Sequence, residues 1–89
     1  MNLPSLRQRI DAIDRRLLRL LAARAALAIR VGRMKRARGL PIFDPRREAN
    51  ILRRVARENS GPLSRAAIQR IFRAILRESR KVESTALRD

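Results

Sequence analysis

The chain has 89 residues, of which 45% are hydrophobic, so we expect one domain, residues 1–89, with a modest core. It contains no cysteine and no histidine, which excludes disulfides, thiol or imidazole nucleophiles, and the usual ligands of zinc or copper. No segment approaches the roughly 20 apolar residues that span a bilayer, and the N-terminus shows no signal-peptide pattern. We therefore expect a cytoplasmic protein with no membrane partner.

The formal net charge of +15 indicates an anionic partner. A basic surface that binds nucleic acid and a basic pocket that binds a small polyanion both fit this charge. A third interpretation is an arginine-rich composition that merely covers solvated helix faces. The aromatic residues are only Phe43 and Phe72, which provide little stacking surface for single strands. Nucleic acid is therefore the less favoured partner.

The first predicted helix runs from about residue 5 to residue 38. Apolar residues recur at alternating spacings of four and three from Leu6 to Met34, as in the seam of a coiled coil. Ser5 is the predicted N-cap, with Gln8 completing a capping box. Such a helix is roughly 50 Å long, whereas a compact chain of this length is only about 30 Å across. We therefore predict that a second chain covers the seam in an intertwined homodimer.

Two shorter helices are predicted to follow. Asp44 and Pro45 suit the N-cap and the first position of a helix over about residues 45–58. After the break in NSGPLS, Ser64 is the predicted N-cap of a third helix over about residues 65–87. The sequence shows no strand pattern and no repeat. The predicted fold class is therefore all-α, a three-helix subunit with a long N-terminal helix, which pairs into a six-helix dimer.

Each predicted helix carries polar or charged side chains on the face that should be buried. These residues are Arg24, Lys35, Arg47, Glu48, Ser79 and Glu83. Because burying an unpaired charge is costly, they need partners. The partners are either one another, Arg24 with Glu83 for example, or an anionic ligand. Since cations outnumber anions in this set, the pattern favours a ligand inside the bundle.

Three segments together resemble a known family: LRQRIDAIDRRLLRLLAARAALAIRVGRMK, GLPIFDPRREANIL and ILRESRKVES. They are similar to the all-helical class of chorismate mutases, and the resemblance covers nearly the whole chain. Members of that family convert chorismate, a dicarboxylate, to prephenate by a Claisen rearrangement without a cofactor or metal. They do so as intertwined dimers of three-helix subunits. The resemblance therefore implies this fold and this activity, in aromatic amino acid biosynthesis, for the present chain.

The resemblance also implies which residues bind the substrate carboxylates. Arg7 matches an arginine that reaches into the partner subunit's pocket, and Arg24 matches one that binds a carboxylate within its own subunit. Lys35 matches the lysine that contacts both the ether oxygen and a carboxylate. Arg47 matches a further cation beside the carboxylates, and Ser79 matches a serine near one of them.

Three carboxylate residues complete the implied site. Asp44 and Glu48 match the pair at the ring hydroxyl, where we expect the Glu48 carboxylate and the backbone near Asp44 to make the contacts. Many bacterial members have glutamine at the position of Glu83. This chain has glutamate there, as the fungal enzymes do. An ionised carboxylate cannot donate a hydrogen bond to the ether oxygen, so Glu83 must be protonated when substrate is bound. Nearby Lys35 and Arg24 oppose protonation, whereas burial favours it. We expect Lys35 and Glu83 to be the catalytic residues, and the efficiency to decline as pH rises.

Three alternatives to the mutase stay open, one of which is a non-catalytic regulatory dimer, although the intact set of site residues argues against it. A relative of the same fold eliminates pyruvate from isochorismate with nearly the same cations, and this sequence separates the two enzymes poorly. A basic helical dimer that binds nucleic acid explains the net charge. It leaves Glu48, Ser79 and Glu83 on the buried faces without a reason.

Overall fold

The computed structural model describes residues 2–86, which form three α-helices. These are α1 (Leu3–Ala37), α2 (Pro45–Glu58) and α3 (Arg65–Ala86). The described residues include no strand, so the predicted all-α class is confirmed. The observed bounds of α2 coincide with the predicted ones, whereas the predicted end of α3 at Leu87 lies outside the described residues.

The N-terminus of α1 differs from the prediction, because Ser5 is not its N-cap. The N-cap is Asn2, whose side-chain oxygen accepts a hydrogen bond from the backbone N–H of Ser5 at 2.9 Å. Pro4 fits in the first turn because an N–H at that position has no helical acceptor. Ser5 is therefore a helical residue and does not open a capping box with Gln8.

The C-terminus of α1 is closed by backbone hydrogen bonds around a glycine. The N–H of Gly39 donates to the carbonyl of Arg36 at 3.2 Å, and that of Leu40 donates to the carbonyl of Lys35 at 2.8 Å. Gly39 has φ 67°, the left-handed conformation that glycine often adopts just after a helix. This turn directs the chain away from α1 and towards α2.

The two predicted N-caps of the shorter helices are confirmed. The Asp44 side chain accepts a hydrogen bond from the backbone N–H of Arg47 at 3.0 Å, at the start of α2. The Ser64 hydroxyl accepts one from the backbone N–H of Ala67 at 3.0 Å, at the start of α3. These bonds satisfy N–H groups that have no partner within the helices.

Helix α3 packs against both α1 and α2. Helices α1 and α3 run in the same direction, since Leu21 and Ala74 line one groove while Gly32 lies against Glu83 further along both helices. Among the described residues, the buried apolar side chains come one from each helix: Ala28, Ile51 and Leu76. The core therefore lies beside the C-terminal half of α1.

The N-terminal half of α1 contributes little to this core, and residues 6–23 are exposed. The chain extends over 55 × 28 × 14 Å, and its radius of gyration of 16.1 Å exceeds the roughly 12 Å of a compact chain of this length. Eight apolar residues of the predicted seam are each 41–66% exposed: Leu6, Ile10, Ile13, Leu17, Leu20, Leu27, Val31 and Met34. Even so, no helix within residues 2–86 has the length and hydropathy of a membrane span. One chain alone leaves most of its seam uncovered.

Gly32 permits the close contact between α1 and α3. A Cβ atom added at Gly32 lies 3.0 Å from both the Cα and the carbonyl oxygen of Glu83. Because those atoms belong to the backbone, α3 has to shift by a few tenths of an ångström at this point to make room. A glycine inside a helix costs about 1 kcal/mol relative to alanine. Gly32 thus lowers the stability of the isolated helix and allows the two helices to touch.

We predict that Gly32→Ala lowers the free energy of unfolding by about 1–3 kcal/mol, because the displaced helix outweighs the gain in helix propensity. Urea denaturation at one fixed protein concentration measures this change. Gly61→Ala is the matched control, since the nearest neighbour of a Cβ added there is Asn59 Oδ1 at 4.0 Å. That variant should be as stable as the wild type or slightly more stable. Equal stability of Gly32→Ala and the wild type contradicts the prediction.

Candidate active site

A cavity of about 430 Å³ lies between the C-terminal half of α1, the N-terminal half of α2 and the C-terminal half of α3. Seven of the eight predicted site residues line it: Arg24, Lys35, Asp44, Arg47, Glu48, Ser79 and Glu83. The helical repeat explains the grouping on α3, where Ser79 and Glu83 are four residues apart and share one face. The structure thus brings the predicted set together, with the exception of Arg7.

Glu83 is a buried charged residue, only 7% exposed. Its Oε1 atom lies 3.4 Å from Nζ of Lys35, which also donates a hydrogen bond to the carbonyl of Ile42 at 2.7 Å. Lys35 follows Gly32 by one helical turn, so the close approach of the helices at Gly32 also brings Lys35 and Glu83 together. The ammonium and the carboxyl group therefore face the cavity side by side.

Arg24 pairs with Ser79 and not with Glu83, the partner that the sequence analysis gave as an example. Its Nη1 atom donates a hydrogen bond to the Ser79 hydroxyl, which in turn donates to the carbonyl of Ile75 at 2.9 Å. An Arg24–Glu83 ion pair does not form, because Glu83 pairs with Lys35. None of the ion pairs found within residues 2–86 includes Arg24. Its guanidinium therefore faces the cavity without a carboxylate.

Asp44, Arg47 and Glu48 come from the start of α2. The Asp44 carboxylate is engaged as the N-cap, accepting the backbone N–H of Arg47. The Arg47 side chain is exposed, whereas Glu48 is half-buried at the cavity wall. The N-terminus of a helix also carries a partial positive charge. This end of α2 therefore brings one cation and two carboxylates to the cavity, and the helix dipole offsets part of their negative charge.

Sequence reasoning missed one charged residue of the cavity, Arg80. Its Nη1 atom lies 2.5 Å from both carboxylate oxygens of Glu48. Its guanidinium also lies over the Phe43 ring, 5.2 Å from the ring centre. Arg80 follows Ser79 directly and precedes Glu83 by three residues, so it lies at the edge of the same helix face. This spacing was the signal that could have identified it.

Arg7 is exposed and does not line the cavity of its own chain. It precedes Arg24 by seventeen residues on α1, which corresponds to roughly 25 Å along the helix. No rotamer of arginine bridges that distance. A contribution of Arg7 to a site of this kind therefore requires a second chain.

The walls of the cavity carry more positive than negative groups. The four cations are Arg24, Lys35, Arg47 and Arg80, and the three carboxylates are Asp44, Glu48 and Glu83. Fixed cations in a partly enclosed cavity attract an anion and orient it. In the part of the chain that the structure describes, no cluster of three or more potential metal ligands occurs. The arrangement suits an anionic ligand that also has a polar group for the carboxylates.

Residues 6–84 match the family described as chorismate mutase type II. The chain belongs to this family. The resemblance noted in the sequence is thereby confirmed, and the chorismate mutase type II match extends over all three helices and both connecting segments.

Relatives and solved structures agree with this assignment. The T-protein of Haemophilus influenzae is 42% identical over 79 residues, which are 86% of this chain and 21% of that protein. The chain thus spans about a fifth of the length of this curated relative. The structure of chorismate mutase (Form II) from Thermus thermophilus has 36% identity and a TM-score of 0.90, covering 91% of this chain and 92% of that one. The chorismate mutase from Helicobacter pylori in complex with prephenate has 30% identity and a TM-score of 0.89, covering 97% and 93%.

We predict that Arg24→Leu raises the free energy of unfolding by about 0.5–2 kcal/mol, because it removes a half-buried cation that has no carboxylate partner. Urea denaturation at fixed protein concentration measures the change. Arg30→Leu, at an exposed position of the same helix, is the control and should stay within about 0.5 kcal/mol of the wild type. A loss of stability in Arg24→Leu alone would mean that Arg24 stabilises the empty fold.

Proposed function

We propose that this chain is a chorismate mutase, which rearranges chorismate to prephenate in aromatic amino acid biosynthesis. The observation that carries the proposal is the cavity between the three helices, with its excess of cations and the pair of partly buried Lys35 and buried Glu83. Membership of the chorismate mutase type II family supports it. The substrate is a dicarboxylate with an ether oxygen and a ring hydroxyl, and the cavity offers partners of the right charge for each group.

Arg24 is the group that we assign to a substrate carboxylate. Its guanidinium is half-buried, faces the cavity and is held by the Ser79 hydroxyl rather than by an acid. A planar guanidinium can donate two parallel hydrogen bonds to a carboxylate, which lysine cannot do. Arg47 is exposed at the same cavity and adds a second cation. Arg24 and Arg47 thus bind and orient the substrate in this proposal.

Glu48 is assigned to the ring hydroxyl. Its carboxylate lines the cavity and can accept a hydrogen bond from an O–H group. The neighbouring Asp44 carboxylate already caps α2, so its backbone rather than its side chain is left for the substrate. This division agrees with the roles that the resemblance implies for the two residues.

The proposed reaction needs only positioning and electrostatic stabilisation. In the rearrangement the ether C–O bond breaks while a new C–C bond forms within the same molecule, and no proton is gained or lost. A cavity that holds the chair-like conformer lowers the barrier. Lys35 and a protonated Glu83 stabilise the negative charge that develops on the ether oxygen. Removing either side chain should raise the barrier by about 2–4 kcal/mol, as for other donors to a developing oxyanion.

Glu83 can act in this way only when it is protonated, because an ionised carboxylate has no proton to donate. Glu83 is only 7% exposed. The cations that line the same cavity are Arg24 and Lys35 from α1, Arg47 from α2 and Arg80 from α3. In the working complex, the ether oxygen of the substrate accepts the hydrogen bond from the protonated carboxyl group. We therefore propose that the active population of the enzyme decreases as pH rises.

We predict that kcat/KM for loss of chorismate absorbance is higher at pH 5 than at pH 7.5, with prephenate identified as the product by chromatography. Only a protonated carboxyl group can donate to the ether oxygen, so the proposed role of Glu83 requires activity to fall as pH rises. Glu83→Gln is the matched control, since an amide donates at every pH. Its kcat/KM should change less between the two pH values. An equally flat profile for both proteins contradicts the role of a protonated Glu83.

Parallel assays with isochorismate and with DNA separate the alternative functions. Release of pyruvate from isochorismate, without prephenate from chorismate, would assign the chain to the lyase of this fold. Absence of both reactions, together with DNA binding that weakens steeply with salt, would favour a nucleic-acid-binding dimer.

We also propose that the working unit is an intertwined homodimer. The exposed seam of α1 is a long apolar stripe that monomeric proteins rarely leave in water. A second copy of the same helix has the matching pattern of spacings. In that arrangement Arg7, too far from its own cavity, contributes to the cavity of the partner. Size-exclusion chromatography with light scattering measures the mass that this proposal requires.

We predict that two inactive variants, Arg7→Ala and Lys35→Ala, restore activity when they are refolded together. Each mixed dimer then has one site with both changes and one site with neither, so random pairing should restore about a quarter of the wild-type activity. The control mixture is Arg24→Ala with Lys35→Ala, whose residues act within one subunit and should show no restoration. Equal behaviour of the two mixtures would place Arg7 outside the partner's site.

A further inference from the structure

Arg80 connects three parts of the chain around the cavity. It lies on α3, pairs with Glu48 on α2, and stacks on Phe43 in the segment between α1 and α2. It also lines both the cavity and an open groove on its other side, which contains Arg77 and Lys81. Arg80 is therefore part of the wall that separates the cavity from this groove.

The ion pair restricts the carboxylate of Glu48. One nitrogen, Nη1 of Arg80, lies 2.5 Å from both carboxylate oxygens. The two side chains are partly buried, at 34% exposure for Arg80 and 20% for Glu48, so solvent screens the pair less than it screens a surface pair. A glutamate otherwise has several rotatable bonds and many orientations to lose on binding a ligand. Arg80 removes much of that freedom before a ligand arrives.

The contact with Phe43 extends the restraint to the next segment. A guanidinium above an aromatic ring is attracted by the negative face of the ring. The neighbouring residue, Ile42, accepts the hydrogen bond from Lys35 at 2.7 Å. Ile42 is thus bound by Lys35 of α1, and the adjacent Phe43 contacts Arg80 of α3. The position of Glu48 is thereby fixed relative to Lys35 across the cavity.

We propose that Arg80 is a positioning residue, which holds the Glu48 carboxylate in the orientation that accepts the ring hydroxyl of the substrate. The inference rests on the proposed mutase function and extends it by one residue. Arg80 occupies one acceptor position on each Glu48 carboxylate oxygen, and the remaining lone pairs can accept a hydroxyl in the cavity. An arginine suits this position because it can bind a carboxylate and stack on a ring at the same time.

The test is a double-mutant cycle on steady-state kinetics with chorismate, using wild type, Arg80→Ala, Glu48→Gln and the double variant. If Arg80 acts through Glu48, Arg80→Ala lowers kcat/KM about 10- to 100-fold, mainly by raising KM. In the Glu48→Gln background the same change should alter kcat/KM by less than about threefold, since the group that it positions is already altered. Arg80→Lys keeps the charge but not the stacking, and should recover only part of the loss.

Arg77→Ala is the matched control. Arg77 lies one turn before Arg80 on α3, lines the same groove, and has a side chain 58% exposed that pairs with Glu78 rather than Glu48. Its removal changes the net charge by the same amount and should leave KM within about twofold of the wild type. If Arg80→Ala does not fold, as judged by circular dichroism, the cycle is completed with Arg80→Lys in its place.

The outcomes separate the positioning role from the mutase function. If Arg80→Ala lowers kcat/KM by the same factor in the wild type and in the Glu48→Gln variant, Arg80 acts without Glu48. That result overturns the proposal. Unchanged kinetics in Arg80→Ala would overturn it as well. A wild-type protein that forms no prephenate would instead refute the mutase function, on which the positioning role depends. A loss confined to the background with native Glu48 supports the proposal.

Discussion

Glu83 reaches Lys35 because the backbone of α3 lies directly against Gly32. The glycine has no side chain to separate the helices, and a Cβ atom there is only 3.0 Å from the Glu83 backbone. Lys35 is one turn further along α1, where its Nζ atom lies 3.4 Å from Oε1 of Glu83. Helix α2 then closes the third side, where Glu48 pairs with Arg80. The geometry of the cavity thus depends on one short contact between two helix backbones.

The cavity concentrates charge in a protein that buries few apolar side chains. Within the described residues only Ala28, Ile51 and Leu76 are buried apolar residues, and Glu83 lies among them. Charged groups in such a place oppose folding unless they are paired. Two of the cations have acidic partners, whereas Arg24 has only a hydroxyl. In our proposal a dicarboxylate substrate supplies the missing partner, so binding and stability are linked through the same side chains.

The two halves of α1 have different environments, which gives the helix two roles in our proposal. Its C-terminal half packs on α3 and carries Arg24 and Lys35 into the cavity. Its N-terminal half is exposed along the whole seam and carries Arg7, roughly 25 Å from Arg24. A helix of this length cannot be covered by the rest of one chain. In the proposed homodimer, the second copy of α1 covers the exposed seam, and Arg7 lies at the partner's cavity. Both features follow from the length of this helix.

The amino-acid sequence by itself determined the local features, because these depend on residues close together in the chain. Helix periodicity, and the N-caps at Asp44 and Ser64, arise from contacts three or four residues apart. The family resemblance then predicted seven residues that share the cavity. Only the tertiary structure decided which charges pair, since pairing depends on how far one helix is shifted along another. That shift directs Arg24 to Ser79 rather than to Glu83, and it places Arg80 beside Glu48.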